Sequence, residues 1–278
     1  MLVDVGVNLL NGQFRRDRDA IITRAQAAGV ADLLIIATDL ETTSQAIALS
    51  TSAGLRCTAG IHPHDAADVN EEWQQQLQRL AAHPRVCAVG ETGLDFNRNY
   101  SPRQQQLDVF AAQIAIAQRL DKPLYVHDRE SGGELMRLLE GAGQLPPVLV
   151  HCFTGTEAEL DAYLAAGFHI GITGWVTDPK RGASLRRLVP RIPLDRLLIE
   201  TDAPFLRPFN VPAGWFAEHG LTSRFKRRCE PAMLPYILAC IAQLREQDAE
   251  TIAAATRANA LRLFDIGRRG GPEIPALL

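Results

Sequence analysis

A chain of 278 residues, 46% of them apolar, is long enough to bury one large core, and its formal net charge of -3 excludes a uniformly basic coat for polyanions. No apolar run approaches the ~18 residues of a membrane span, and five cysteines without a Cys-x-x-Cys pair argue against a disulfide framework or a zinc knuckle. MLVDVGVNLL shows no basic leader, so the expectation is one cytoplasmic, monomeric domain over residues 1–278.

Short apolar runs then alternate with amphipathic segments. LVDVGVNL (2–9) reads as a strand, RDAIITRAQAAG as a helix, and ADLLIIAT (31–38) and LRCTAGIH (55–62) as the next strands. After the helical QQQLQRLAAH come VCAVGETG (86–93), the helix QQQLDVFAAQIAIAQRL and PLYVHDR (123–129). GGELMRLLEGAG, PVLVHCF (147–153), EAELDAYLAAG, FHIGITGWV (168–176), GASLRRLVPRI and RLLIETD (196–202) continue the alternation. Eight strands separated by helices predict an α/β fold, a (β/α)8 TIM barrel; a doubly wound open sheet is the competing arrangement. A long irregular stretch, 204–231, has the length of a functional loop, and two helices near 232–246 and 248–264 finish the pattern.

In such a barrel the active site gathers where strands end. GIHPHD delivers His62 and His64 to the end of the third strand, GETGLD delivers Glu91 and Asp95 to the fourth, and VHDR delivers His127 and Arg129 to the fifth. HCFTG delivers His151, and LLIETDAP drives Glu200 and Asp202 out of an interior run. Residues two apart in a strand point the same way, so each pair is expected to face the mouth together. A mixed nitrogen and oxygen donor set suits a divalent cation. Glu200 is left between an ion pair with an arginine and a catalytic role, and Asp95 between fixing its turn and touching substrate.

GIHPHD, GETGLDF, VHDR, HCFTG, IGITGW and IETDAP, in this order and spacing, resemble the TatD family of metal-dependent deoxyribonucleases over about residues 3 to 265. The resemblance implies a metallo-dependent hydrolase barrel that cleaves phosphodiesters, with Glu91, His127 and His151 as metal ligands and Asp202 as a further ligand or the base that activates water. Strand one departs from the family's Asp-x-His-x-His: it reads Asp4-Val5-Gly6-Val7-Asn8, leaving only the Asn8 carbonyl as a donor. That form is similar to a subgroup acting as 3' to 5' exonucleases on single-stranded DNA and RNA, and it points to Mg2+, with Mn2+ or Zn2+ as other candidates. Asp128 and Cys229 also depart from the subgroup's pattern.

On this reading His62 and His64 steady phosphate oxygens or the leaving group, and Arg129 neutralises developing charge. Arg224, Lys226, Arg227 and Arg228 hold backbone phosphates of the strand. Trp175, Phe205, Trp215 and Phe216 are candidates for base stacking against packing. An amidohydrolase or lactonase on the same scaffold is the first rival; none of the three lysines stands where a bridging carboxylated lysine would. The second is a non-catalytic nucleic-acid-binding protein that has lost the strand-one histidines.

Overall fold

The computed structural model of the chain describes residues 1–221 and 228–266. Its strands are β1 (Leu2–Val7), β2 (Val30–Ile35), β3 (Arg56–Ala59), β4 (Val86–Asp95), β5 (Leu124–Arg129), β6 (Val148–His151), β7 (His169–Ile172) and β8 (Leu197–Ile199). The helices are α1 (Arg18–Ala27), α2 (Leu40–Ala53), α3 (Trp73–Ala81), α4 (Arg103–Leu120), α5 (Glu134–Gly141), α6 (Glu157–Ala165) and α7 (Ala183–Leu188), one after each of the first seven strands. After β8 come α8 (Trp215–Glu218), α9 (Leu234–Arg245) and α10 (Ala249–Phe264). The strands pair in parallel in chain order, β1 through β8, which decides the question left by periodicity for the barrel over the doubly wound sheet.

Local chemistry sets the element ends. The Thr156 side chain accepts from the Glu159 amide while the Glu159 carboxylate accepts from the Thr156 amide, so α6 starts with two of its free donors paired. Asp39 and Thr42 do the same for α2. Apolar strand residues such as Leu124 and Val126 pack against the helices. A second cluster joins Leu34, Tyr125, Leu149 and Leu198 to Ala260, Leu263 and Phe264 of α10. The Tyr125 ring belongs to this cluster, and its hydroxyl leaves it for the polar groups described below.

The two end strands do not zip together along their length. β8 ends at Ile199, and the ring is completed beyond it: the Asp202 amide donates to the Gly6 carbonyl at 2.9 Å, and the Asn8 amide to the Ala203 carbonyl at 2.8 Å. Asp4 supplies the missing rung. Its carboxylate accepts from the Thr201 amide at 2.9 Å, from the Thr201 hydroxyl at 2.6 Å and from the Gly6 amide at 3.3 Å. A side chain thereby replaces a ladder hydrogen bond at the seam, and it fastens the segment carrying Glu200 and Asp202 to the strand carrying Asn8.

Burial pushes the Asp4 carboxyl up to about 8, against the pull of the Thr201 and Gly6 donors. Because this lies above the ordinary 3.8, the folded chain holds the proton more tightly than the unfolded one, and stability falls as pH rises from 4 to 8. Asp4→Asn keeps an oxygen for the Thr201 and Gly6 amides and does not titrate. Thermal melts in chelator are expected to show this variant losing less stability than wild type from pH 5 to 8, by at most about 1.4 kcal/mol per pH unit. Asp4→Ala leaves buried donors unpaired and lowers stability by about 1–3 kcal/mol per donor at any pH.

Candidate metal centre

Glu91 reaches the centre because β4 is irregular there. The β4–β5 register slips between Val89 and Thr92, a bulge that re-aims the side chain between them. Gly93 lets the two strands approach: its φ is +127°, and a Cβ there would lie 1.9 Å from the His127 carbonyl oxygen. His127 and His151 are direct partners in the β5–β6 register, so both rings stand at one level.

The result is convergence on a single atom. Glu91 Oε1 lies 3.2 Å from His62 Nε2, 3.2 Å from His127 Nδ1 and 3.2 Å from His151 Nε2. A carboxylate oxygen has two lone pairs, so three ring nitrogens cannot all be satisfied by it. Burial opposes ionisation of Glu91, but the surrounding imidazoles outweigh it and hold the carboxyl well below the usual range. Burial also opposes charge on His127 and His151, yet their neighbouring carboxylates raise both. The cluster holds negative charge and draws positive charge into a dry space; a divalent cation meets that demand.

The outer hydrogen bonds decide which nitrogens can serve a cation. His151 Nδ1 faces Glu200 Oε2 at 3.1 Å and the Tyr125 hydroxyl at 3.0 Å, and Tyr125 itself donates to Glu200 Oε2 at 2.6 Å. With its proton on Nδ1, His151 turns a lone pair at Nε2 toward Glu91. His127 Nε2 makes no hydrogen bond, but the Asp95 carboxylate stands 3.5 Å from it and favours the proton on that nitrogen, which leaves the lone pair on Nδ1, again toward Glu91. His62 is the reverse: its Nδ1 accepts from the His64 amide at 3.1 Å, so Nε2 carries the proton and donates to Glu91. Proximity alone groups His62 with Glu91 and His127 as possible ligands; the hydrogen bonds give His62 a donor's part and leave acceptor lone pairs on Glu91, His127 and His151.

These groups line a cavity of about 660 Å³ together with Asn8, Asp202, Arg129 and His64. Asp202, in the left-handed region at φ +54°, accepts from Asn8 Nδ2 at 2.9 Å, and burial pushes its carboxyl up to about 7. His64 Nε2 meets Asp95 Oδ2 at 2.7 Å.

Two expectations are corrected here, on Glu200 with Asp202 and on Arg228, and two open alternatives are decided. Glu200 and Asp202 do not share a face, because the strand stops at Ile199; Glu200 is fully buried behind His151, where its Oε1 accepts from the Cys152 amide at 2.6 Å. Asp95 does not line the cavity: fully buried, it accepts from the Asn97 and Arg98 amides while holding His64 and His127. Arg228 is 3% exposed and ion-paired with Asp17 at 2.7 Å and Glu230 at 2.5 Å, so it fastens the loop after β8 to the segment before α1 instead of meeting phosphate. Trp215 and Phe216 are buried and packed edge to face, unlike Trp175 and Phe205, which line the cavity. Arg224, Lys226 and Arg227 lie outside the described residues.

Asp128 puts less charge beside the site than its carboxylate implies, since burial raises its pKa even against the stabilising donation from Tyr163. Lys122 donates to the carbonyls of Ala81, His83 and Val86, at the far end of β5 from His127, so it cannot bridge metals at the mouth. Sequence reasoning passed over Tyr125, although its position two residues before His127 put both side chains on one side of the strand.

The family model for TatD related DNase matches residues 3–265. The chain belongs to the TatD-related DNase family. It is 45% identical over 275 residues to a Dickeya dadantii protein named 3'-5' ssDNA/RNA exonuclease TatD, covering 97% of this chain and all of that one. A protein of the same name from Escherichia fergusonii is 46% identical, over 95% of this chain and 99% of its own. Among solved structures, YJJV, a TatD homolog from Escherichia coli, superposes with a TM-score of 0.84 at 27% identity, over 95% and 98% of the two chains. A phosphotriesterase homology protein from Escherichia coli, with a TM-score of 0.61 at 17% identity over 95% and 98% of the two chains, shares the fold alone.

Within this TatD-family chain, the departure at strand one has a structural counterpart. A Cβ on Gly6 would lie 2.5 Å from Glu200 Oε2 and 2.5 Å from the Tyr125 hydroxyl, so the volume beside residue 6 is already taken by the pair that orients His151. Tyr125→Phe removes the hydroxyl and keeps the buried ring. Calorimetric titration with Mn2+ is expected to show affinity falling about 10- to 100-fold, with the metal-free melting temperature within a few degrees of wild type; an unchanged affinity would leave Tyr125 a packing residue only.

Proposed function

We propose that the chain is a metal-dependent 3'-5' exonuclease that hydrolyses phosphodiester bonds of single-stranded DNA and RNA. The observation that carries this reading is the meeting of Glu91, His127 and His151, with lone pairs aimed inward, in a cavity that also holds Asp202. The names of relatives at about 45% identity support it and favour it over an amidohydrolase or a non-catalytic binder. The assigned ion is Mg2+, consistent with the oxygen donors of Glu91, Asp202 and Asn8 on the same cavity. No helix among the described residues is long and apolar enough to cross a membrane. We assign the chain to the cytoplasm as a single-domain monomer, working in DNA repair or turnover.

When bound, the cation would polarise a phosphoryl oxygen and lower the pKa of the attacking water. Asp202 receives that water's proton: Oδ1 accepts from Asn8, and Oδ2 is left for the transfer. Burial raises the Asp202 carboxyl in the metal-free site, the direction that favours its taking up a proton. His62 has its Nε2 proton on Glu91 and serves by holding that carboxylate, so the steadying of non-bridging oxygens or the leaving group falls to His64, which Asp95 fixes through Nε2. Arg129 faces the same cavity and balances charge on the phosphate. Glu200 keeps His151 in the required tautomer and needs no contact with substrate.

A short single-stranded oligonucleotide labelled at either end tests the activity. With Mg2+ or Mn2+ the expected ladder shortens stepwise from the 3' end, and with chelator it stays intact; no cleavage under any metal would overturn the proposal. Glu91→Gln is expected to lower kcat by at least about a thousandfold, because the charged ligand is lost. Oligonucleotide affinity, read by anisotropy, is expected to stay within about threefold, since phosphate and base contacts lie elsewhere on the cavity.

A further inference from the structure

The cavity does not end at the metal centre. Trp175, Arg181 and Leu206 line it and also line a second hollow of about 260 Å³, together with Gly174, Asp178, Arg207 and Phe209. Two hollows in series, divided by one aromatic ridge, form a track leading away from the metal ligands.

The ridge is built, not incidental. The Thr173 side chain accepts from the Trp175 amide and starts a tight turn over Gly174–Thr177. The Thr177 hydroxyl donates to the Gly174 carbonyl at 2.6 Å and accepts from the Phe209 amide at 2.8 Å, tying the two walls of the second hollow together. A Cβ on Gly174 would stand 2.1 Å from the Leu206 carbonyl oxygen, so the walls are as close as glycine permits. Asp178 accepts from the Arg181 amide and from Arg181 Nε at 2.7 Å, and holds the guanidinium 4.3 Å above the Trp175 ring.

What the hollow offers is the Trp175 and Phe209 rings with two arginines, Arg181 held by Asp178 and Arg207 beside it. Among the described residues the exposed large apolar side chains are Met1, Tyr100, Phe205 and Phe209, and the last three all border the two hollows. Their gathering about one pair of hollows offers apolar surface for a ligand there. An aromatic and guanidinium floor with arginines at its edge is complementary to a base and its phosphate, and stacking of this kind is indifferent to sequence because every base has a π-face.

We propose that the second hollow is the subsite for the nucleotide next to the one being removed. Its base stacks on the Trp175–Arg181 pair, and Arg207 meets its phosphate, while the terminal nucleotide occupies the first cavity. This rests on the exonuclease reading and adds a preference to it: a base and phosphate on the nucleotide next to the cleaved end lower KM.

Fluorescence separates the two ideas. The chain has three tryptophans; Trp73 and Trp215 are buried, and Trp175 is partly exposed on the ridge. In chelator, hexathymidylate is expected to quench emission, thymidine monophosphate is not, and Trp175→Phe is expected to abolish the change. With Mn2+, Phe209→Ala and Arg207→Ala are each expected to raise KM for hexathymidylate by about tenfold, while hydrolysis of bis(p-nitrophenyl) phosphate, which reaches only the metal centre, is unchanged. Unquenched fluorescence with saturating oligonucleotide, or equal effects of the two substitutions on both substrates, would overturn the subsite. Failure of wild type to hydrolyse hexathymidylate would overturn the exonuclease reading, and the quenching titration would still decide the subsite.

Discussion

Everything at this centre depends on one carboxylate oxygen having more partners than it can satisfy. Glu91 Oε1 faces three imidazole nitrogens at the same distance in a buried space. In water such a group would relax apart; here β3, β4, β5 and β6 hold the four residues at one level of the barrel. A cation that took the two imidazole lone pairs would resolve the surplus, with His62 supplying its one proton. Fold and chemistry are therefore the same problem: the barrel's register makes the crowding, and the ion relieves it.

A second carboxylate shell makes the first usable. Glu200 with Tyr125 pairs with His151 Nδ1, and Asp95, bonded to His64, stands 3.5 Å from His127 Nε2, so on His151 and His127 the nitrogen toward Glu91 keeps its lone pair. Low dielectric makes these bonds strong and makes any unpaired member costly. It also gives the acids on LLIETDAP different tasks despite their being two residues apart: one orients a ring from behind and the other opens onto the cavity. The Asp4 rung at the β1–β8 seam secures that division by fixing the turn between them.

Much of this was legible beforehand because the relevant signals are periodic or local. The eight apolar runs correspond to the eight strands, within a few residues at each end, since alternating strand and helix patterns follow from burial on both faces of a parallel sheet. Glu91, His127, His151, Asp202 and Arg129 were identifiable as cavity residues because strand ends in a barrel converge. Tyr125 was not, since a tyrosine inside an apolar run looks like core, and its ring is core; only its hydroxyl carries the second role. Arg228 misled for the opposite reason: a run of basic residues reads as a solvated patch, and nothing local reveals that Asp17 and Glu230, one of them more than two hundred residues away, neutralise this member of it.

The sequence by itself determined the order of strands and helices, the metal-type donor set and the family, because hydrophobic period and residue identity are properties of short segments. The tertiary structure decided which nitrogen of each histidine faces inward, which acids touch the cavity and which support it, and that Gly6 leaves its space to Tyr125 and Glu200. Those outcomes depend on contacts between residues from different strands, and on a bulge in β4 and an early end to β8. Neither leaves a mark in the pattern of the chain.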